Sequence, residues 1–133
     1  MISERLLNIF KEPHNTGILQ SASGIGQFVN EETNEVIKLY IKIEKDYIID
    51  ASFKIYSGVV GIAIMSVFTD MLKNKSLEEA LQLQEKDVLA QIGDIEPEKE
   101  YLVQNAIESL KLAEEDYKKK LEKEAEKAKK SKK

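Results

Sequence analysis

The chain has 133 residues and a mass of 15.1 kDa, the size of one domain that can bury a sizeable core without covalent staples. It contains no cysteine and one histidine, His14, which excludes disulfides, zinc fingers, thiolate-held clusters, cysteine nucleophiles and multi-histidine metal sites. Hydrophobic residues at 42% and charged residues at 33% suit a folding chain, and no apolar run reaches the roughly 18 residues of a membrane span. No basic-then-apolar secretion signal opens the sequence, so the expected location is the cytoplasm.

The formal net charge of -4 hides a division. Residues 118–133 hold nine lysines and three glutamates, a local charge of +6, which leaves -10 on residues 1–117. A body this acidic argues against nucleic-acid binding, because phosphate attraction needs a positive field. The lysine-rich end has only Leu121 as a large apolar anchor. It reads as a solvated helical extension rather than a membrane contact.

In chain order, residues 2–11 predict a short helix, with Ser3 as its cap and Ile2, Leu6, Ile9 and Phe10 at helical spacing. Pro13 and Gly17 end it, and the segment from Glu12 to Asn15 forms a turn. Gly24 and Gly26 interrupt the next stretch, which fits an edge strand or a flexible loop. From Glu35 to Ile43 the residues alternate, with Ile37, Leu39, Ile41 and Ile43 on one face. After the polar turn Glu44-Lys45-Asp46, a second run places Ile49, Ala51, Phe53 and Ile55 on its apolar side. Together these runs predict a hairpin with one wet and one buried face.

A helix follows between Gly58 and Asn74, with Val60, Ile64, Val67, Phe68, Met71 and Leu72 as its stripe. Ser76 with Glu79 forms a capping-box pattern, and Asp87 is expected to cap a further turn ending at Gly93. The last helix is expected to start near Pro97 and to bury Leu102, Val103, Ala106, Ile107, Leu110, Ala113 and Tyr117. Its stripe then thins to Leu121, Ala125 and Ala128, while Glu114–Lys118, Glu115–Lys119 and Glu126–Lys130 add i,i+4 support. The sum is an α+β domain over residues 1–119, followed by a lysine-rich helical extension over residues 120–133 that frays at its end. A small curled antiparallel sheet of about three strands packs against a helical layer that includes a long C-terminal helix.

Residue chemistry offers little that is specific. His14 reads as an exposed or locally hydrogen-bonded turn residue. The glycines of Ser21-Ala22-Ser23-Gly24-Ile25-Gly26 match neither dinucleotide nor P-loop spacing, so turn and bulge geometry is the expected use. Glu31, Glu32 and Glu35 read as a solvated turn, and Met65, Phe68 and Met71 as core packing.

Several stretches carry a resemblance. Lys11-Glu12-Pro13-His14-Asn15-Thr16-Gly17 resembles an "ENPRNVG"-type turn, and Lys75-Ser76-Leu77-Glu78-Glu79-Ala80 resembles "GKSLEEA". With the glycine-containing segment, the hairpin and Thr69-Asp70-Met71-Leu72 between them, residues 2–119 resemble the iron–sulfur cluster scaffold family, the IscU-like proteins and the N-terminal domain of NifU. That resemblance implies an IscU-like fold. It also implies a site of three cysteines and an aspartate, a sulfur-donating cysteine desulfurase and an Hsp70-type chaperone. At those positions the chain departs from the pattern. Glu32-Thr33-Asn34-Glu35 stands where the family has Ala-Cys-Gly-Asp, so Thr33 replaces the cysteine and Glu35 the aspartate. Gly58 stands at the second cysteine, and Tyr101-Leu102 at the final His-Cys pair. Ile95-Glu96-Pro97-Glu98-Lys99 corresponds to the chaperone-recognised "LPPVK" segment, keeping Ile95, Pro97 and Lys99 as candidate partner-binding residues.

Threonine, glycine and leucine cannot replace soft thiolate ligands, and no persulfide can form without a cysteine sulfur. The expectation is therefore a non-enzymatic relative, with no catalytic residue, cofactor or metal assigned. It would act as a protein-interaction module connected with cluster assembly. A desulfurase, an Hsp70-type chaperone or a cysteine-bearing scaffold is the expected partner, and the old cluster end is expected to be more apolar. Two alternatives stay open. One is a metal or small-molecule site around Glu32, Glu35, Glu98 and Tyr101; the other is a cluster shared with a partner's cysteines.

Overall fold

The computed structural model describes residues 3–93 and 95–131; Ile2 of the expected first stripe and Lys132 and Lys133 of the extension lie outside them. Helix α1 (Glu4–Lys11) starts at Ser3, whose side chain accepts from the Leu6 amide at 3.2 Å. Strands β1 (Gly24–Asn30), β2 (Glu35–Glu44) and β3 (Tyr47–Tyr56) form one antiparallel sheet in the order β1-β2-β3. Helices α2 (Val59–Leu72), α3 (Leu77–Leu81) and α4 (Glu85–Ile92) follow. A 3-10 turn (Pro97–Lys99) leads into α5 (Tyr101–Ser131), 31 residues long.

The β2–β3 hairpin turns on Lys45 and Asp46, both at positive φ (51° and 69°), the two-residue geometry whose twist matches the flanking strands. Beyond it the register slips between Lys42 and Ile43, and Ile49 is the extra residue of a bulge. One inserted residue reverses the alternation. Ile48 is therefore fully buried, whereas Ile49, expected inside, is 40% exposed. Ala51 and Phe53 point inward as the alternation predicts.

Ile37, Leu39, Ile41 and Ile43 meet Ala63, Ile64, Phe68 and Leu72 of α2 and Val103, Ala106 and Leu110 of α5 in one core. Gly24 and Gly26 belong to neither a turn nor a bulge. They let α5 lie directly on β1: a Cβ at Gly24 would fall 2.4 Å from the Ala113 carbonyl oxygen, and one at Gly26 would fall 2.1 Å from that of Ser109. Asp116 of α5 then accepts from the Ile25 amide at 2.8 Å, satisfying a donor on the free edge of β1.

The other edge, on β3, is clipped twice. Gly17 donates to the Phe53 carbonyl (2.8 Å) and Phe53 to that of Asn15 (2.9 Å), while Ile48 donates to the Lys75 carbonyl (2.8 Å). The segment from Gly17 to Ser23 must therefore cross the sheet from the β3 side to the β1 side. Since helices fill the inner face, it crosses the outer one, and Tyr40 beneath it is only 3% exposed. What remains open on that face is a row across all three strands. Val29 pairs with Val36, and Val36 with Tyr56, which is 76% exposed; Lys38 and Lys54 flank the row.

His14 and Asn15 anchor the loop after α1. Asn15, at φ 63°, donates to Thr69 Oγ1 (2.9 Å) and Asp70 Oδ1 (2.8 Å) and accepts from Lys73 (2.5 Å). His14 Nδ1 lies 2.7 Å from Asp70 Oδ2. Burial raises the Asp70 carboxyl, but hydrogen bonds from His14 and Asn15 and the charges of His14 and Lys73 outweigh it, so its pKa is lowered. The Ser76–Glu79 capping box forms as expected. In α4, Asp87 is the third helical residue of a capping box whose cap is Gln84, not the cap itself. The last α-helix begins at Tyr101, because Pro97 opens a 3-10 turn first. From Lys118 to Lys130 every residue of α5 is exposed, with Lys118 paired to Glu114 at 3.3 Å.

Candidate functional site

Three pieces of chain meet at the end of the sheet where β2 begins. The β1–β2 turn is shaped by Asn30, whose side-chain oxygen accepts from the Glu32 and Thr33 amides at 3.0 and 3.3 Å. That turn delivers Glu35, half-buried, to the first position of β2. There it faces Ser57 at the β3–α2 junction and Tyr101 at the start of α5. Tyr101 donates its hydroxyl to Glu35 Oε1 at 2.5 Å, and Ser57 donates to Glu35 Oε2. Gly61 makes room for this arrangement, since a Cβ there would lie 2.3 Å from Ser57 Oγ.

The electrostatics follow from one carboxylate with both oxygens engaged. Burial pushes Glu35 up, but hydrogen bonds from Ser57, Tyr101 and Thr33 and the charge of Lys99 hold it below the usual carboxylate range. Tyr101 is pushed up to about 12, chiefly by its hydrogen bond to Glu35, then by burial and by the Glu35 charge. At neutral pH the pair is a carboxylate acceptor and a neutral phenol donor. This end is therefore closed by charge-assisted hydrogen bonds rather than left apolar, contrary to the expectation from sequence.

Of the singled-out positions, Thr33, Glu35 and Tyr101 come together, and Gly58 is adjacent through Ser57. Leu102 does not join them; it is 4% exposed and part of the core. Gly58 caps α2 in extended geometry (φ -83°, ψ -173°) with open space around a hypothetical Cβ, so nothing local demands glycine. Ile95 packs against the core, while Pro97 and Lys99 are exposed on the 3-10 turn. Sequence reading missed Ser57, Gly61 and the link at 3.3 Å between half-buried Asn30 and buried Asn105. For Ser57 the available signal was a small hydroxyl residue beside a helix-starting glycine.

This donor set does not fit an iron–sulfur cluster. It offers a hydroxyl at Thr33, no side chain at Gly58, an inward leucine at Leu102 and a carboxylate whose oxygens are already used. Among the described residues no three His, Cys, Asp or Glu side chains converge to hold a metal ion, and no helix is long and apolar enough to cross a membrane.

The fold is that of cluster-assembly scaffold domains. An N-terminal NifU-like protein from Brucella abortus superposes with a TM-score of 0.70 at 10% identity, covering 89% of this chain and 94% of that one. A putative iron–sulfur cluster assembly scaffold protein for the SUF system from Fervidobacterium islandicum gives 0.67 at 17% identity, covering 84% and 95%. In sequence, the chain is 34% identical over 117 residues to the iron–sulfur cluster assembly scaffold protein IscU of Aquifex aeolicus, covering 86% of this chain and 74% of that one. It is 30% identical to IscU 1 of Archaeoglobus fulgidus, covering 88% and 76%. The family model of the NifU-like N terminal domain matches residues 1–124, and the chain belongs to that family, as a member without cysteine.

Proposed function

We propose that this chain is a non-enzymatic, cytoplasmic member of the scaffold family that works as a protein-interaction module in iron–sulfur cluster assembly and does not ligate a cluster alone. One observation carries this reading: the chain has the family frame without a single cysteine, and Glu35 is consumed by Ser57 and Tyr101. Softness decides the chemistry, since ferric and ferrous iron in sulfide clusters are held by thiolates and not by hydroxyls or aliphatic carbons. Two surfaces support an interaction role. One is the exposed row Val29–Val36–Tyr56, and the other is the turn bearing Pro97 and Lys99 beside Ile95. The partner we infer is a cysteine desulfurase, an Hsp70-type chaperone or a cysteine-bearing scaffold.

Cross-linking and co-purification from the native cell test this reading. Wild type is expected to recover one of those three proteins, and Val36→Asp/Tyr56→Asp to lose it. Recovery of none of them refutes the assembly role. Separately, anaerobic reconstitution of the purified chain should leave no bound cluster; stoichiometric iron with acid-labile sulfide in monodisperse protein refutes the ligand argument.

A further inference from the structure

Helices α1 and α2 leave a cleft of about 790 Å3 between them, with the C-terminal half of α2 as one wall. Asp70 is eleven helical steps beyond Val59 on α2, so the cleft lies about 16 Å along that helix from the Glu35 end. Its volume is within the range of about 300–1,000 Å3 that small-molecule sites occupy. Ile9, Val67 and Met71 give it an apolar floor, each only partly buried by the rest of the protein.

The polar groups of its rim select charge. Arg5 makes no hydrogen bond or ion pair with another described residue. Lys75 is held in place by donating to the Met71 carbonyl at 2.6 Å, which leaves two of its three protons for another acceptor. Asp70 also lines the cleft, but its two oxygens already accept from Asn15 and face His14 Nδ1, leaving His14 Nε2 as the unengaged ring nitrogen. Two cations in a body carrying -10 therefore make this a locally favourable place for an anion. The Asp70 carboxylate still opposes a second negative charge.

We propose that this cleft binds a small amphiphilic monoanion, a single carboxylate on an apolar chain or ring, with its head between Arg5 and Lys75 and its body on Ile9, Val67 and Met71. The proposal is independent of the interaction role above. A neutral apolar ligand would leave those rim cations without an acceptor, and a dianion would meet Asp70.

Amide-resolved NMR titration of the full chain with sodium octanoate tests it, with sodium acetate and 1-octanol as head-only and charge-free controls. Octanoate is expected to give saturable shifts confined to α1, residues 66–75 and α4. Acetate and octanol are each expected to bind at least about tenfold more weakly. Arg5→Glu, on the exposed side of α1, and Lys75→Gln should each weaken octanoate about tenfold with little change in thermal unfolding. Equal binding of octanol, shifts of the same size on the outer sheet face, or octanoate affinity unchanged in Arg5→Glu would each overturn the proposal.

Discussion

Replacing Tyr101 by Phe removes one hydroxyl and nothing else from the junction of β2 and α5. In the folded chain that hydroxyl donates to Glu35 at 2.5 Å, and its pKa is pushed from an ordinary value near 10 up to about 12. The hydrogen bond to a charged acceptor is the largest cause of that rise and is worth roughly 1.5–2 kcal/mol at a partly exposed site, since burial and the Glu35 charge act against the phenolate and do not stabilise the neutral phenol. Because the folded value is the higher one, this stability is fully present below the unfolded pKa and is lost as pH climbs through about 12. Denaturant unfolding should therefore place Tyr101→Phe about 1.5–2 kcal/mol below wild type at pH 7, with the gap closing as pH rises from about 10 to 12. Every other group is common to both proteins, so the difference isolates the phenol. Ultraviolet titration gives a second readout: the late ionisation of Tyr101 should vanish in the variant. A variant within about 0.5 kcal/mol of wild type at pH 7, with the late ionisation intact, refutes the network.

The acid side carries the opposite sign. Glu35 has a lowered pKa when folded, so its contribution holds at neutral pH and falls away as pH drops through that lowered value; Glu35→Gln should flatten this part of an acid-unfolding curve. Gly26→Ala places a methyl 2.1 Å from the Ser109 carbonyl oxygen and should cost at least about 2–3 kcal/mol, measured by urea unfolding, with lost amide protection at Ile25. Replacing Lys45-Asp46 by Asn-Gly relieves two residues at positive φ and should raise stability by about 1 kcal/mol in thermal melts. No gain there would mean that these two residues bear no backbone cost.

The local rules read much of this fold directly. Alternation located both strands of the long hairpin, the i,i+3/i+4 stripe located α2, and Ser76 with Glu79 located α3. What escaped was tertiary. Ile48 and Ile49 are identical side chains, so only the bulge opposite Lys42 and Ile43 decides which one is buried. Gly24 and Gly26 look like turn residues until a helix is seen lying on them. Tyr40, patterned to the wet face, is covered by a loop fixed at its start by the Gly17–Phe53 clip on β3 and at its end by Ser23 donating to the Ile41 carbonyl. The same holds for the site. Family likeness put Thr33, Glu35, Gly58 and Tyr101 at one end, yet the hydrogen bonds joining residues 35, 57 and 101 have no periodicity to announce them.

The residues at this end make physical sense as a set. Without partners Glu35 would be an isolated half-buried carboxylate, and such a group costs stability or is driven to protonate. Tyr101 and Ser57 each donate one hydrogen bond to it, from two different elements, and Gly61 leaves the space that the Ser57 hydroxyl occupies. Leu102, turned inward, joins the core beside Val103. The carboxylate thereby ties β2 to the β3–α2 junction and to α5 through side chains alone. If so, Tyr101→Phe and Ser57→Ala should be non-additive in a double-mutant cycle read through Glu35→Gln, because each acts on one oxygen of the same carboxylate. Strict additivity would mean that the three residues are neighbours without being a unit.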